Sequence, residues 1–282
     1  MELRLISKHW KSALNTLVFQ SIENFNPNNL PLTLQTNGSY VKTVSCPIVN
    51  NLETSDLKAS FPNLVHLKIH LIHSNFNKLL DLIKSLTNLQ RLEIYSHLKL
   101  SRLNESVPND ITSTITALTT LNSLNFSLSH PFNSPFPQFS LLNLSSLQVR
   151  FNYSDFERFK QEFKKLTKLR QFKVIVSYFG YKPSSDEEIK LITPGELLIH
   201  NELKTLCFRN HSYSVNNQVL TSAHLTQEFL KLFTNPLFFN LNNFEWKLTW
   251  SSQRLSQPIF TQALPNTQTW TNLIRICLSN VD

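Results

Sequence analysis

Apolar residues return along this chain in one short phrase, Leu-x-x-Leu-x-Leu, in which Ile, Val or Phe can replace Leu. Copies stand at Leu64/Leu67/Ile69, Leu89/Leu92/Ile94, Leu121/Leu124/Phe126, Leu144/Leu147/Val149 and Leu169/Phe172/Val174. They continue at Leu203/Leu206/Phe208, Leu241/Phe244/Trp246 and Leu273/Ile276/Leu278, and a weaker first copy is Val41/Val44/Cys46. Successive starts lie 23, 25, 32, 23, 25, 34, 38 and 32 residues apart. Return at such intervals predicts a stacked solenoid, in which each unit buries its apolar face against its neighbours.

Each phrase reads as a strand. Side chains alternate between two faces, so the fourth and sixth places point together into a core and the first packs there from the preceding turn. The stretches between phrases read as helices. Phe76, Leu79, Leu80, Ile83 and Leu86 form one stripe over residues 75–86, and Phe156, Phe159, Phe163 and Leu166 form another. Leu225, Phe229, Leu232 and Phe233 give a third, over 224–234. Ser154 followed by Glu157 has the form of a capping box opening the second helix. The spacing therefore predicts an α/β fold with a parallel sheet on the concave face and helices on the convex face.

Composition narrows the chemistry. A hydrophobic share of 41% can fill a continuous core, and no apolar run approaches the ~18 residues of a membrane span. The first ten residues are too charged for a secretory signal, and Glu2 argues against a mitochondrial presequence. Cys46, Cys207 and Cys277 are odd in number and far apart, which fits neither a disulfide framework nor a zinc site. A reducing compartment, cytosol or nucleus, is expected. The Asn-x-Ser triplets at Asn125, Asn143, Asn152 and Asn210 then read as chance matches. With only Gly38, Gly180 and Gly195, the chain has no glycine cluster to cradle a phosphate or build a nucleophile elbow. His66 and His70 share a strand face but stand about 13 Å apart, too far to ligate one metal. Cys207 has no partner identifiable from the sequence. No acid pair or triad order appears, and the expectation is a non-enzyme without a cofactor or metal.

The repeated phrase resembles the leucine-rich-repeat family over roughly Tyr40 to Val281. That family commonly places Asn or Cys at the ninth position of its phrase. Here Asn152 fits, but Ile72, His97, Ser129, Ser177, His211 and Thr249 do not, which implies irregular turns. Upstream, Leu5-Ile6-Ser7-Lys8-His9-Trp10 resembles the closing phrase of an F-box, and Leu17 to Ile22 resembles the link from such a motif to leucine-rich repeats. The earlier F-box helices, which dock the Skp adaptor, would precede this stretch. The expected organisation is a helical cap over 1–25 and a solenoid of about nine repeats over 38–282, whose last strand leaves an open edge after Leu278. The resemblance implies the substrate receptor of a Skp–cullin–F-box ubiquitin ligase, with a Skp adaptor and a cullin as partners if a complete F-box stands upstream. The alternative is a repeat scaffold or inhibitor-like binder unrelated to ubiquitin.

Charge adds a surface to this picture. Taking the outward third, fifth and seventh places of all nine phrases gives 27 positions with seven Lys/Arg and two Asp/Glu, so a tenth of the chain holds +5 of its net +8. A positive concave face attracts acidic partners. The candidate contacts are His66, Lys68, His70, Arg91, Tyr95, Arg150, Lys173, Arg209, Lys247 and Arg275, with Arg91, Arg150, Lys173 and Arg209 as anchors for an acidic or phosphorylated protein segment. A pI near 9.4 also fits nucleic acid, but only Tyr95 is aromatic among the outward places of the better copies, and no Lys/Arg-rich run exists.

Overall fold

The computed structural model describes residues 13, 20–23, 37–48, 58–71, 76–96, 113–128, 143–178, 191–213 and 222–250. The F-box-like residues Leu5, Ile6, Ser7, Lys8 and Trp10 lie outside them, as do the last phrase and Arg275. The chain divides into two compact units, Met1–Asn143 and Leu144–Asp282.

In the first unit β1 (Ser21–Ile22), β2 (Thr43–Ile48), β3 (His66–Leu71), β4 (Arg91–Ser96) and β5 (Ser123–Leu128) pair in that order. Every pairing is parallel. Helix α1 (Phe76–Ser85) lies between β3 and β4 in sequence. The second unit carries β6 (Ser146–Asn152), β7 (Gln171–Ser177), β8 (Thr205–Tyr213) and β9 (Asn243–Trp250), again parallel and in order. Its helices are α2 (Phe156–Phe163) and α3 (Ser222–Thr234). The architecture is α/β with parallel pairing throughout.

From β2 to β9 every strand begins at the third place of its phrase, and like places face one another. Leu67 pairs with Leu92 and Leu92 with Leu124; Leu147 pairs with Phe172, Phe172 with Leu206 and Leu206 with Phe244. Two backbone contacts set this register. The carbonyl of the second place accepts two N–H groups, from the second and third places of the next copy. Gln20, Lys42, Val65 and Gln90 do so in the first unit, and Ser145, Arg170 and Lys204 in the second, at 2.8–3.1 Å. The N–H of the first place then closes a turn onto the carbonyl three residues earlier, at 3.0–3.3 Å.

That turn reveals an apolar position the phrase alone does not include. Phe61, Leu86, Leu118, Leu166 and Phe238 occupy it, and all are buried. Gly38 takes the place before β2, where a Cβ would run into the carbonyl of Ser60. His200 takes it before β8, buried against Phe163, and its Nε2–H donates to the Phe163 carbonyl at 2.7 Å. A satisfied histidine therefore substitutes for a hydrophobic one.

The described members of the expected stripes are buried. Leu80, Ile83 and Leu86 are inside, as are Phe156, Phe159, Phe163 and Leu166, and Phe229, Leu232 and Phe233. In the second unit aromatic rings join helix to strand. Phe163 lies 4.4 Å from Phe172, and Phe229 lies 4.7 Å from Trp246. Each such ring or leucine contributes on the order of 1.5–3 kcal/mol by burial.

Some local expectations need correcting. Ser154 does not cap α2: a 3₁₀ turn over Tyr153–Asp155 runs straight into the helix, Asp155 stands at the N-cap without a side-chain bond, and the Phe156 N–H is taken by the Tyr153 carbonyl. The capping box in this unit is Thr193 with Glu196. Asn152 makes no side-chain cap to the turn after it. Within the stretch expected as a helical cap over 1–25, Ser21–Ile22 is a strand, and the Gln20 carbonyl receives the Lys42 and Thr43 N–H groups as the Lys42 carbonyl receives those of Val65 and His66.

A polar contact in the core of the second unit is Asn210, at the eighth place of its phrase. It is fully buried; its Nδ2 donates to the Ile192 carbonyl and the Tyr178 hydroxyl, and its Oδ1 accepts from Trp246 Nε1 at 2.9 Å. Replacing Asn210 by Leu orphans the Trp246 N–H and the Ile192 carbonyl, each costing about 1–3 kcal/mol. Urea denaturation should show a loss of about 2–4 kcal/mol for Asn210→Leu, against at most about 0.5 kcal/mol for Leu230→Ala at a position 48% exposed. Equal stabilities for the two variants would refute the role given to this network.

Candidate functional site

On the outward face of the first unit, β3 to β5 gather their polar side chains around Glu93. Parallel register sets His66 beside Arg91, Lys68 beside Glu93 and His70 beside Tyr95. Glu93 is buried, with its side chain only 7% exposed, so its charge has to be met locally. Oε1 accepts from His66 Nε2 at 3.0 Å and from Arg91 Nε and Nη2 at 2.8 and 2.7 Å. Oε2 accepts from the Tyr95 hydroxyl at 2.7 Å, and that hydroxyl accepts in turn from Asn125 Nδ2 at 2.6 Å. The bonds from His66 and Tyr95 and the charge of Arg91 outweigh burial and hold the carboxyl down at about 2. Burial and the bond to Glu93 push Tyr95 up to about 12. Its ring stacks on His70 at 5.1 Å, and Lys68 Nζ stands 5.4 Å from the ring centroid.

The second unit repeats the device around Glu245. Lys247 Nζ donates at 2.7 Å, Cys207 Sγ donates at 2.8 Å, and Arg209 Nη2 stands at 3.4 Å. Burial raises the carboxyl, but the thiol, Lys247 and Arg209 together overcome it and leave it at about 2. Cys207, buried and bonded to that carboxylate, is pushed up to about 11 and stays a thiol. No partner for it was identifiable from the sequence; the register places Glu245 opposite it. Arg150 has a different setting. Its Nη2 reaches His211 Nδ1 at 3.5 Å, and burial lowers both groups, with Arg150 adding to the effect on His211.

The ten candidate contact residues thus have unequal fates. His66, Arg91 and Tyr95 are tied to Glu93, while Arg209 and Lys247 are tied to Glu245. Lys68 and His70 stand on the Tyr95 ring. Among the described residues, Lys68, Arg150 and Lys173 form no ion pair. Charge is also unevenly shared: the described outward places hold Lys68 and Arg91 against Glu93 in the first unit, but Arg150, Lys173, Arg209 and Lys247 against Glu245 in the second. The two glutamates and Asn125 are the organising residues that a count of cations passes over. For the two glutamates the signal was present as an acid at the fifth place of the phrase with one cation two residues away, Arg91 or Lys247.

Among the described residues, no group of three or more His, Cys, Asp or Glu could hold a metal, and no helix is long and apolar enough to cross a membrane. No family model matches the chain, and no curated protein matches it.

Two buried carboxyls give opposite pH behaviour. Glu93 falls from 4.5 to about 2 on folding, so it stabilises the fold above pH 4.5 and that stability is lost as pH drops toward 2. Asp155 rises from 3.8 to about 6 through burial, against the pull of Arg158, so it weakens the fold at neutral pH and ceases to do so as pH falls from 6 to 3.8. Glu93→Gln should cost about 2–3 kcal/mol at pH 7 and flatten acid unfolding below pH 4.5. Asp155→Asn should gain about 2 kcal/mol at pH 7 and show no further gain on acidification to pH 5. Denaturant midpoints across this range measure both.

Proposed function

We propose that this chain is a leucine-rich-repeat protein that recognises another protein, and that it serves as the substrate receptor of a Skp–cullin–F-box ubiquitin ligase. The observation that carries the recognition reading is the in-register outward face, where like places of successive phrases stand side by side under a cationic excess. Such a face presents side chains in rows to an extended or folded partner, and its charge favours an acidic or phosphorylated one. The chain itself performs no chemistry in this reading; it holds a target near a charged conjugating enzyme, which raises the effective concentration of the reacting lysine. The ligase part rests on Ile6, Ser7, Lys8 and Trp10 and their place ahead of the repeats. Cytosol or nucleus is the matching compartment.

Affinity purification of the protein tagged at its native locus, so that any segment ahead of Met1 is included, tests this by mass spectrometry. A Skp adaptor and a cullin should co-purify, and Ile6→Asp with Trp10→Ala should reduce their recovery at least about tenfold, the effect of losing buried apolar anchors. Recovery of other proteins without adaptor or cullin would overturn the ligase role and leave a repeat scaffold.

A further inference from the structure

In the second unit, two side chains cap the turns they precede, and both stand on extended backbone. Thr193, at φ −114° and ψ 156°, forms a capping box with Glu196. Asn235, at φ −77° and ψ 118°, accepts the Leu237 N–H at 3.0 Å. Asp155 holds the same position ahead of α2, with a side chain equally suited to capping. Its backbone instead lies at φ −95° and ψ 0°, in continuation of the 3₁₀ turn Tyr153–Asp155, and its carboxyl caps nothing.

The carboxyl is folded inward. Among the described residues of the second unit Asp155 is the one buried acidic side chain, and its Oδ2 has no donor among them. Phe156, the next residue, is buried against Phe151 with ring centroids 6.2 Å apart. The charges around the turn leave Asp155 almost unanswered. Lys160 binds Glu196 at 3.1 Å and lies over the Phe156 ring. Arg150 meets His211 on the sheet. Arg158, exposed on α2, acts on Asp155 and favours its charged form. A buried carboxylate without donors is costly, whereas the neutral acid is tolerated there. The start of α2 offers a carboxylate what the buried place does not: first-turn N–H groups and the positive end of the helix dipole.

We propose that the turn Tyr153–Asp155 is a proton-operated catch, closed with a neutral Asp155 stored inside and opened when the ionised carboxylate swings out to become the N-cap of α2. Opening takes Asp155 to the extended backbone that Thr193 and Asn235 adopt, and it frees the Phe156 N–H from the Tyr153 carbonyl. It also draws Tyr153 away from Tyr178, whose ring lies 5.1 Å off and whose hydroxyl accepts from the Ile192 N–H and from Asn210. The catch is thus coupled to the buried network around Asn210. Burial lifts the stored acid to about 6, against an ordinary 3.8. The closed form therefore holds its proton more tightly: acid closes the turn, and a rise through pH 6 opens it. Across that interval the ratio of closed to open falls roughly a hundredfold. The device belongs to the unit's own fold and does not depend on the ligase reading.

The test is NMR of the full chain, following the Asp155 carboxyl carbon and the exchange of the Phe156 amide from pH 4.5 to 7.5. The carboxyl should titrate near pH 6. Over the same range the Phe156 amide, corrected for its intrinsic exchange rate, should lose at least about tenfold protection. The Leu237 amide, under the Asn235 cap, should lose none. Asp155→Asn, which stays neutral, should keep Phe156 protected throughout. Arg158→Gln should move the transition to higher pH, because it removes the charge that helps Asp155 ionise; at an exposed position it keeps the test valid if Asp155→Asn fails to fold. A carboxyl that titrates near 3.8 would overturn the inference. So would titration near pH 6 with no change at Phe156, or an equal loss of protection in Asp155→Asn, since either leaves a buried acid in a turn that its proton does not move.

Discussion

One backbone contact governs how each strand of this protein is laid down. A carbonyl oxygen has two lone pairs, and the second-place oxygens of Gln20, Lys42, Val65, Gln90, Ser145, Arg170 and Lys204 use both, binding successive N–H groups of the next copy. That pair of bonds decides which residue begins the following strand. It also decides which side chains face inward, since a slip of one residue would exchange the two faces. The turn bond one residue earlier anchors a further apolar side chain beneath the strand. Repetition in the sequence is thus the trace of a repeated backbone requirement, and the leucines are its visible part.

Much of the fold could be read from that trace. The eight phrases from Val41 to Trp246 all fall on strands in the expected phase, because period-two alternation leaves one way to bury a fourth and sixth place together. The three helices with apolar stripes were equally legible. Legibility failed where a backbone rule operates without its usual side chain. Ser21–Ile22 is a strand although its sixth place is Asn24, so a search for three apolar residues passes over it. His200 and Gly38 hold the turn position that elsewhere carries Phe or Leu, for reasons of hydrogen bonding and of close backbone approach that a hydropathy pattern does not encode.

The candidate site was legible by position and not by state. From β3 to β9 the third, fifth and seventh places are part-exposed or exposed, apart from buried Glu93, Asn125 and Cys207. What sequence could not rank was which cations are already spent. Like places become neighbours in a parallel register, so a run of Lys and Arg at one place would repel itself, and the protein answers with a carboxylate set among them in each unit. Glu93 and Glu245 divide the cations into those that hold the face together and those without an ion pair among the described residues. Only distances make that division: Arg91 at 2.7 Å from a carboxylate and Arg150 facing a histidine look the same in a sequence.

The intervals between phrases range from 23 to 38 residues, yet the paired carbonyl bonds stay within 2.8–3.1 Å across them. Length added between two strands is therefore mechanically silent at the ladder. In evolutionary terms the protein has two independent variables: connecting segments can grow or shrink by many residues, while the strand faces change one side chain at a time. Side chains on the face can be exchanged without altering the ladder, and the connections can be lengthened without altering the face.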